Sequence, residues 1–454
     1  MRSTRHFVFS SLIAGVAFPF VATAAPHLYS LAECLDLADR NHPNLWAARA
    51  RLSAVHAQLD EVTWTPYSQW SMSALGGVMP RVDGNAFYSA SSVATLYSGF
   101  GQGWGPLFRT ELNGVIPITT FGKIVNSKKA AEAQVRVVEW DVEKVRQQTR
   151  SDVRRAFFGL QMARDTRVVA DEILSRIDTG IEAIKEKIDN GSATITEVDE
   201  LRLEYYREEI VARSGELEKG KSSAMAALRF FTGVVDDFDV VNEPLARPNV
   251  PLKPIVAYLT AARLFRSDIN MARAGVVART ALVKYNQAKY FPDLGIGLNA
   301  SYAVAPSAGR QDNPWISDPY NRFGFAVALG VKWNFDFLAN AARVAMAESQ
   351  LEETRALERL ALGGATTEVE TAYATAVEAK AREESLDRAE KTARKWIASV
   401  QNSIELGSLT EQALTEPLRA YANVTVQHLI ALMDLNNAMS ALALASGWDG
   451  AAPK

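Results

Sequence analysis

Between Arg322 and Phe337 the chain reads RFGFAVALGVKWNFDF, in which large apolar residues alternate with small or polar ones. The apolar set is Phe323, Phe325, Val327, Leu329, Val331, Trp333 and Phe335. Side chains of a β-strand point alternately to its two faces. The pattern therefore predicts a strand over 322–336 with one apolar face and one small or polar face.

Three other segments alternate in the same way and predict strands over about 67–79, 106–119 and 292–305. An apolar face toward lipid and a polar face toward water are typical of membrane β-barrels. In that interpretation the seven apolar residues of 322–336 face lipid. A soluble antiparallel sheet packed on helices alternates as well, and it remains the alternative.

Long helices are predicted for most of the remaining chain. No proline occurs between Pro117 and Pro244 or between Pro319 and Pro417. We expect helices over about 122–190, 194–233, 338–406 and 410–446. At about 1.5 Å per residue, the two longest would each extend about 100 Å. Such helices must pack along other long helices, as in a coiled coil, because one compact globule cannot cover them.

The two halves of the chain repeat one another in a fixed register. One offset relates Gly114 to Gly330, Phe121 to Phe337, Val153 to Val369, Gly191 to Gly407 and Tyr205 to Tyr421. Repeated supersecondary units are the sequence signature of a repeat architecture. We therefore predict a first structural repeat over 25–240, a linker over 241–254, a second repeat over 255–447 and a C-terminal tail over 448–454.

The N-terminal residues have the pattern of a secretory signal peptide. Arg2 and Arg5 precede an apolar run, and Ala22 and Ala24 form an A-x-A arrangement, so we predict a signal peptide over 1–24. A short membrane anchor is the alternative, but the apolar run is too short to span a bilayer comfortably. Cys34 has no acylation motif before it, so no N-terminal lipid is expected. The later chain shows no uninterrupted apolar run of transmembrane length.

Composition adds little to a functional assignment and argues against several classes. Hydrophobic residues make up 48% of the chain and charged residues 22%, and the formal charge is -3, which gives no argument for nucleic acid as a partner. One cysteine excludes an intrachain disulfide. None of the five histidines pairs at metal-ligand spacing, and no P-loop or G-x-S-x-G motif is present. We expect no catalytic residues, no metal and no cofactor.

Four strands cannot close a barrel alone. An open strand edge in lipid leaves backbone groups without hydrogen-bond partners, and membrane barrels contain at least about eight strands. The chain must then assemble with copies of itself. Two copies would give eight strands with a filled interior, and three would give twelve strands with a wider lumen.

Three stretches resemble one known family. They are the helix-to-strand segment that contains NHPNL, and the two turns NGSATITEVDELRLEY and LGSLTEQALTEPLRAY. Together with the hairpins, the repeat and the long helices, they make the chain similar to the outer membrane factors, the TolC-like outer membrane efflux proteins. The resemblance implies a mainly α-helical homotrimer with a twelve-stranded outer-membrane barrel and an α-helical tunnel in the periplasm. It also implies work with a periplasmic adaptor protein and an inner-membrane transporter.

The resemblance places the functional residues at the two helix-turn-helix tips. The expected adaptor-docking residues are Gly191, Ser192, Ala193, Thr194, Gly407, Ser408, Leu409 and Thr410. Both glycines permit a sharp turn, and the hydroxyls at 192, 194, 408 and 410 are expected to cap the helices that follow. The same residues have a purely structural reading as turn and cap residues, and both readings stay open.

The same resemblance gives a periplasmic gate just beyond the tips. Its expected residues are Thr196, Glu197, Glu411, Ala413 and Glu416. The family's two gate aspartates fall on Ala413 and Glu416, so one carboxylate is missing, and its gate tyrosine and arginine fall on Ile404 and Leu409. A solvated helix face is the alternative reading of each glutamate. Pro417 lies close to the tip, inside the helix predicted over about 410–446, and is expected to kink it.

These observations favour an outer-membrane exit duct of a tripartite efflux or type I secretion system. Its partners would be two further copies, the adaptor, the transporter and outer-membrane lipid. A secreted or periplasmic coiled-coil scaffold or binding protein without a pore is the alternative from another class. The sequence does not indicate the exported substrate or which adaptor and transporter serve it.

Overall fold

A computed structural model describes residues 27–83, 95–96, 103–190, 196–234, 238–310, 315, 318–406, 408–409 and 411–453. The predicted signal peptide over 1–24 lies outside the described residues.

Among the described residues, four long strands form one sheet and four short strands form two separate pairs. They are β1 His27–Tyr29, β2 Trp70–Pro80, β3 Val82–Asp83, β4 Thr95–Leu96, β5 Trp104–Thr119, β6 Phe238–Val240, β7 Asp293–Val304 and β8 Arg322–Lys332. Strands β2, β5, β7 and β8 form an antiparallel sheet in that order, while β1 pairs with β6 in parallel and β3 pairs with β4. Within the described residues, both outer strands of the four-stranded sheet have an unpaired edge.

The helices fall into two sets with the same order of lengths. The first set is α1 Leu31–Asn41, α2 Pro43–Trp64, α3 Lys123–Asp189 and α4 Glu197–Thr232. The second is α5 Ile255–Phe265, α6 Ser267–Ala288, α7 Phe337–Glu405 and α8 Thr415–Ser446. Helices α1 and α5 both have 11 residues, α2 and α6 both have 22, and α3 and α7 have 67 and 69. These matching lengths support the interpretation of the two halves as structural repeats.

The register of the sheet collects apolar side chains on one face. Phe325 lies opposite Ala300, Val327 opposite Leu298, and Leu329 opposite Ile296. The large apolar side chains of this face that are exposed to solvent include Trp70, Met72, Val78, Trp104, Phe108, Leu112, Ile116, Tyr302, Phe323, Phe325, Val327, Leu329 and Val331. No described element covers them. A soluble sheet would bury such a face, so this arrangement favours the membrane interpretation.

The opposite face of the sheet carries hydrogen-bonded polar groups. Asn299 donates from Nδ2 to Glu111 Oε1 at 3.1 Å and to Asn113 Oδ1 at 2.6 Å. Arg109 Nη2 lies 4.0 Å from Glu111 Oε2. Around them the face carries small residues such as Gly297 and Ala328, together with the exposed side chains of Leu75 and Val115. A polar face with small side chains suits contact with water.

The strand bounds differ from the sequence expectation most at the start of β2, which begins at Trp70 and not at about 67, and at the end of β8. Strand β8 ends at Lys332, where it pairs with the first residue of β7, Asp293. Trp333 and Phe335 therefore follow the strand and are not part of it, although the prediction extended the strand to 336. Their rings pack on each other at 5.0 Å, and Phe335 packs on Phe337 of α7 at 5.9 Å. The apolar residues continue to alternate past Lys332 because Trp333 and Phe335 form the aromatic packing that directly follows the strand.

Two buried clusters hold the helices together. One joins α1, α3 and α4 around Val153, and the other joins α5, α7 and α8 around Val369. Both valines are fully buried, and the repeat register predicts that they correspond. Each cluster joins the middle of the longer helix to the part of the shorter helix that lies away from the turn.

A charged cluster joins the segment between the repeats to α7 and α8. Glu383 of α7 is 1% exposed and accepts hydrogen bonds from Arg247 Nε at 2.8 and 2.9 Å. His428 of α8 lies between Glu383 and Glu390, with ring nitrogens 3.1 and 2.6 Å from their oxygens. Buried carboxylates need such partners. The cluster fixes the register of α8 along α7.

By length and composition alone, one stretch among the described residues, Gln412–Ser446, is apolar enough to cross a membrane. Its apolar residues pack in the second cluster, where Leu435, Met439 and Leu442 are buried. The packing against α5 and α7 explains its composition as that of a core helix.

Candidate functional site

The two turns between the long helices are described only in part. Gly191, Ser192, Ala193 and Thr194 of the first turn lie outside the described residues, as do Gly407 and Thr410 of the second. Ser408 and Leu409 are described, and so are the first residues of α4 and α8. The predicted docking role of all eight stays a prediction.

The first tip ends in a capped helix. Helix α4 begins at Glu197, not at 194, and its N-cap is Thr196, so the expected cap residues Ser192 and Thr194 precede the cap. The Thr196 backbone N–H and hydroxyl both donate to Asp199 Oδ2 at 3.1 Å. Thr196 and Asp199 thereby form a reciprocal capping box. The turn places Asp199 on the side that faces α8.

Asp199 links two helical hairpins, one formed by α3 and α4 and the other by α7 and α8. Gln412, in the turn before α8, donates from Nε2 to Asp199 Oδ2 at 2.7 Å. Arg202 Nη1 lies 3.6 Å from the other carboxylate oxygen. The hydrogen bonds from the Thr196 backbone, the Thr196 hydroxyl and Gln412 hold the pKa of this carboxyl below its usual value, although burial opposes them. An ionised Asp199 thus accepts bonds from both hairpins. We call the Asp199–Gln412 hydrogen bond the tip link.

The second tip begins with a tighter helical turn than expected. A 3-10 turn spans Glu411–Leu414, and α8 starts at Thr415, not at 410. Pro417 is the third residue of α8 and lies in its first turn, where a missing N–H breaks no intrahelical bond, so no kink is needed. Ser408 donates from its backbone N–H and from Oγ to Ser403 O at 2.9 and 2.8 Å. Ser408 therefore closes the end of α7. The expectation that it caps α8 is wrong.

The expected gate residues occupy different environments. Glu197 and Glu416 are exposed in the first turns of α4 and α8, and neither forms a hydrogen bond or ion pair with a described residue. Thr196 serves as the cap described above, and Ala413 is half-buried in the 3-10 turn. The side chain of Glu411 lies outside the described residues. Free carboxylates at helix N-termini are favoured by the helix dipole and stay available to ions.

A cavity of about 370 Å³ lies between the hairpins beside the tip link. Its apolar lining comes from α3, α4, α7 and α8 and includes Ile177, Leu203, Ile397 and Leu418. Leu418 packs in both of the apolar clusters near the tips, one on α3 and α4 and one on α7. Near the tips, the described residues that join the two hairpins are Leu418 and Ala422 in the apolar cluster, the pair in the tip link, and Arg419 against the Tyr206 ring.

The stability of the tip link should change with pH only in acidic solution, where Asp199 becomes protonated. Because the pKa of Asp199 is lowered in the folded chain, its contribution to stability is present above the ordinary aspartate range of about 4 and is lost as pH falls through the lowered value. We expect the rate of cysteine cross-linking between α4 and α8 to be constant from about pH 8 to pH 5 after correction for thiol ionisation, and to change below about pH 4. Loss of the link near pH 6 in the wild type, or an unchanged profile in Asp199→Asn, would contradict this assignment.

Sequence reasoning missed Asp199 and Gln412. The spacing of Thr196 and Asp199 is that of a capping box, so the sequence contained a signal for the local role of Asp199. The partner in the other hairpin is a matter of packing between distant segments, which no local pattern reveals. Among the described residues, no group of three or more His, Cys, Asp or Glu side chains could hold a metal ion.

Comparison with known proteins gives a consistent result. The sequence model of the outer membrane efflux protein family matches residues 34–233 and 259–448. The Escherichia coli K12 protein CusC, a cation efflux system protein, is 22% identical over 198 residues, which are 43% of this chain and 42% of CusC. A membrane protein from Pseudomonas aeruginosa has a similar fold, with a TM-score of 0.72, 17% identity and coverage of 96% of this chain and 97% of that one. The Campylobacter jejuni outer membrane channel CmeC gives a TM-score of 0.71, 16% identity and coverage of 95% and 90%.

Proposed function

Because the chain belongs to the outer membrane efflux protein family, with its sheet in the outer membrane and its long helices on the periplasmic side, we propose that it is the exit duct of a tripartite export system. Three copies would place twelve strands around one lumen and continue that lumen through the α-helices into the periplasm. A periplasmic adaptor would dock on the tips, and an inner-membrane transporter would deliver the substrate. The duct itself carries out no chemical reaction.

One observation supports the proposal most directly, namely the two-faced, open-edged sheet. Its apolar face is exposed over all four strands, its other face carries Glu111, Asn113 and Asn299, and its outer strands β2 and β8 lack partners among the described residues. Lipid would cover the first face and water the second. Strand β8 of one copy would pair with β2 of the next, antiparallel as in the rest of the sheet. Closure would satisfy every edge.

The tips supply the closing element of the proposed duct. In a trimer, Glu197 and Glu416 would form two rings of three carboxylates at the narrow end of the tunnel, which attract cations and repel anions. The tip link would hold each α7–α8 hairpin against its α3–α4 hairpin. Separation of the hairpins would widen the opening. Adaptor docking next to the link offers a way to drive that separation.

Conductance of the purified protein tests the proposal together with the carboxylate rings. We expect light scattering to give the mass of a trimer in detergent, and planar bilayers to show stable cation-selective pores. Glu197→Gln and Glu416→Gln should each lower the cation-to-anion permeability ratio, and the double variant should lower it most, because a ring of three charges is removed each time.

The outcomes separate the candidate functions. A soluble monodisperse protein without conductance would overturn the duct and favour the scaffold. Stable pores whose selectivity is unchanged in both single variants and in the double variant would keep the duct and remove these glutamates from the gate. Glu139→Gln changes an exposed glutamate in the part of α3 far from the tips, and this matched control should leave selectivity unchanged.

A further inference from the structure

The sheet meets the helices at a cluster of aromatic and basic residues. Here β8 ends at Lys332, and Trp333 donates from Nε1 to Tyr290 O at 3.2 Å. The ring of Tyr290 stacks on Phe337 at 6.4 Å, and Phe337 touches Phe335. Phe335 is 70% exposed and continues the apolar face of β8 beyond the strand. The aromatic residues therefore connect that face to the end of α6.

A half-buried lysine without an acidic partner lies at this junction. Lys289 follows α6 directly, and its ammonium contacts Asn286 Oδ1 at 3.0 Å and lies 4.5 Å from the Tyr285 ring centre. Among the described residues it forms no ion pair. Burial and the neighbouring positive charges lower the pKa of Lys289 below its usual value. An ammonium in this environment gains from any anion that approaches it.

Positive charge exceeds negative charge around Lys289. Arg343, Lys123 and Asp336 are the charged groups that act on it, and Asp293 is bound to Lys123 at 2.8 Å. Asp336 in turn accepts a hydrogen bond from Arg343 Nη1 at 2.6 Å. Each carboxylate is thus taken by one cation, and the charge of Lys289 is left over. The cluster matches a ligand with a single negative charge.

The junction lies at the height of lipid headgroups. The 11 residues of β8 extend about 36 Å, and a tilt of about 40° reduces this to about 28 Å along the membrane normal. That height covers the apolar band of about 25 Å that outer-membrane barrels present to lipid. The groups just beyond Lys332 then lie in the periplasmic headgroup layer, with aromatic side chains between them and the acyl chains.

We propose that Lys289, with Arg343 beside it, binds the phosphate of a phospholipid in the periplasmic leaflet, whose acyl chains lie along Phe335 and the apolar face of β8. The inference rests on the membrane-embedded sheet of the proposed function. Phosphate would supply the anion that Lys289 lacks, and Arg343 can share it while it keeps Asp336. Trp333 and Phe337 would flank the glycerol region. A bound lipid would fix the angle between the sheet and the tunnel helices.

Native mass spectrometry of the delipidated trimer measures the binding of lipid to this site. The probes are phosphatidylglycerol, phosphatidylcholine, diacylglycerol and inorganic phosphate. We expect both phospholipids to bind, with up to three retained per trimer, and diacylglycerol to bind at least tenfold more weakly because it lacks the phosphate. Lys289→Gln should weaken phospholipid binding about tenfold or more, and Lys289→Arg should restore it. Lys284→Gln, on the same helix, is the matched control and should have no effect.

The alternatives are separate outcomes of the same experiment. Equal binding of diacylglycerol and phospholipid, or equal binding in Lys289→Gln and wild type, would overturn the phosphate site. Inorganic phosphate that binds as tightly as the phospholipids would identify a free-phosphate site and overturn the lipid. Loss of the trimer in Lys289→Gln would mean that a second copy covers the lysine. Pores and trimer mass that persist in this variant show that the duct and the lipid site stand or fall independently.

Discussion

We expect Val327→Lys to prevent insertion of the protein into the outer membrane. Val327 lies midway along β8 on its apolar face, opposite Leu298, and is 58% exposed. A lysine on the lipid face of a barrel costs about 2–4 kcal/mol near the bilayer midplane, and a trimer would contain it three times. The total cost, about 6–12 kcal/mol, is comparable to the whole stability of an ordinary domain. Membrane fractionation with a trimer assay measures the loss.

Ala328→Lys is the matched control for this prediction. Ala328 is the next residue, lies opposite Gly297, and points to the other face of the sheet. A lysine there would stand in the aqueous lumen, so insertion should persist while conductance and selectivity change. Equal loss of insertion in both variants would mean that the two faces do not differ in solvent. Normal insertion of Val327→Lys would restore the soluble-sheet interpretation.

We expect Gln412→Ala to shift the proposed duct strongly toward its open form. The variant removes the donor of the tip link and leaves the capping box of Thr196 and Asp199 intact. A hydrogen bond to a charged group contributes about 1.5 kcal/mol. Three links that break together would contribute about 4.5 kcal/mol, which corresponds to roughly a thousandfold change in the ratio of open to closed channels. Single-channel open probability in planar bilayers records the change directly.

Gln401→Ala provides the comparison for the tip link. Gln401 of α7 lines the same cavity, loses the same side-chain atoms on substitution, and forms no hydrogen bond to a described residue. The open probability of the Gln401→Ala channel should stay near the wild-type value. If both variants opened the channel equally, cavity packing and not the hydrogen bond would hold the hairpins. If neither did, the tip link would have no part in closure.

The strands and long helices could be predicted because they obey local periodicity. The bounds of α3 and α7 lie within one residue of the expected ones, since helical composition ends where the turn begins. The end of β8 could not be predicted in this way. Pairing stops at Lys332 because β7 starts at Asp293, and the alternating residues beyond it pack on α7. A period-two pattern predicts the face of the sheet on which each side chain lies. It does not predict where the partner strand, and with it the pairing, ends.

The positions of the two tips could be predicted from the sequence, but their capping residues and the contact between them could not. Glycines and hydroxyl residues marked both turns, yet the cap of α4 is Thr196, because Asp199 three residues later completes the capping box. Pro417 looked like a cause of kinking, but the 3-10 turn before α8 puts it in the first helical turn. The tip link joins residues from different halves of the chain. Only the packed hairpins bring its two side chains together.

Disulfide cross-linking between β2 and β8 tests the central claim most directly, namely that three copies close one barrel. Each double-cysteine chain would carry one cysteine at Met72, Ala74 or Gly76 and one at Phe325, Val327 or Leu329. Native Cys34 is buried in α1, and burial raises the pKa of its thiol to about 12, so it should stay unreactive. The account predicts covalent products that end at the trimer, with antiparallel pairing of β8 and the next copy's β2. Products that continue beyond three copies, stop at two, or do not form in any pair would contradict it.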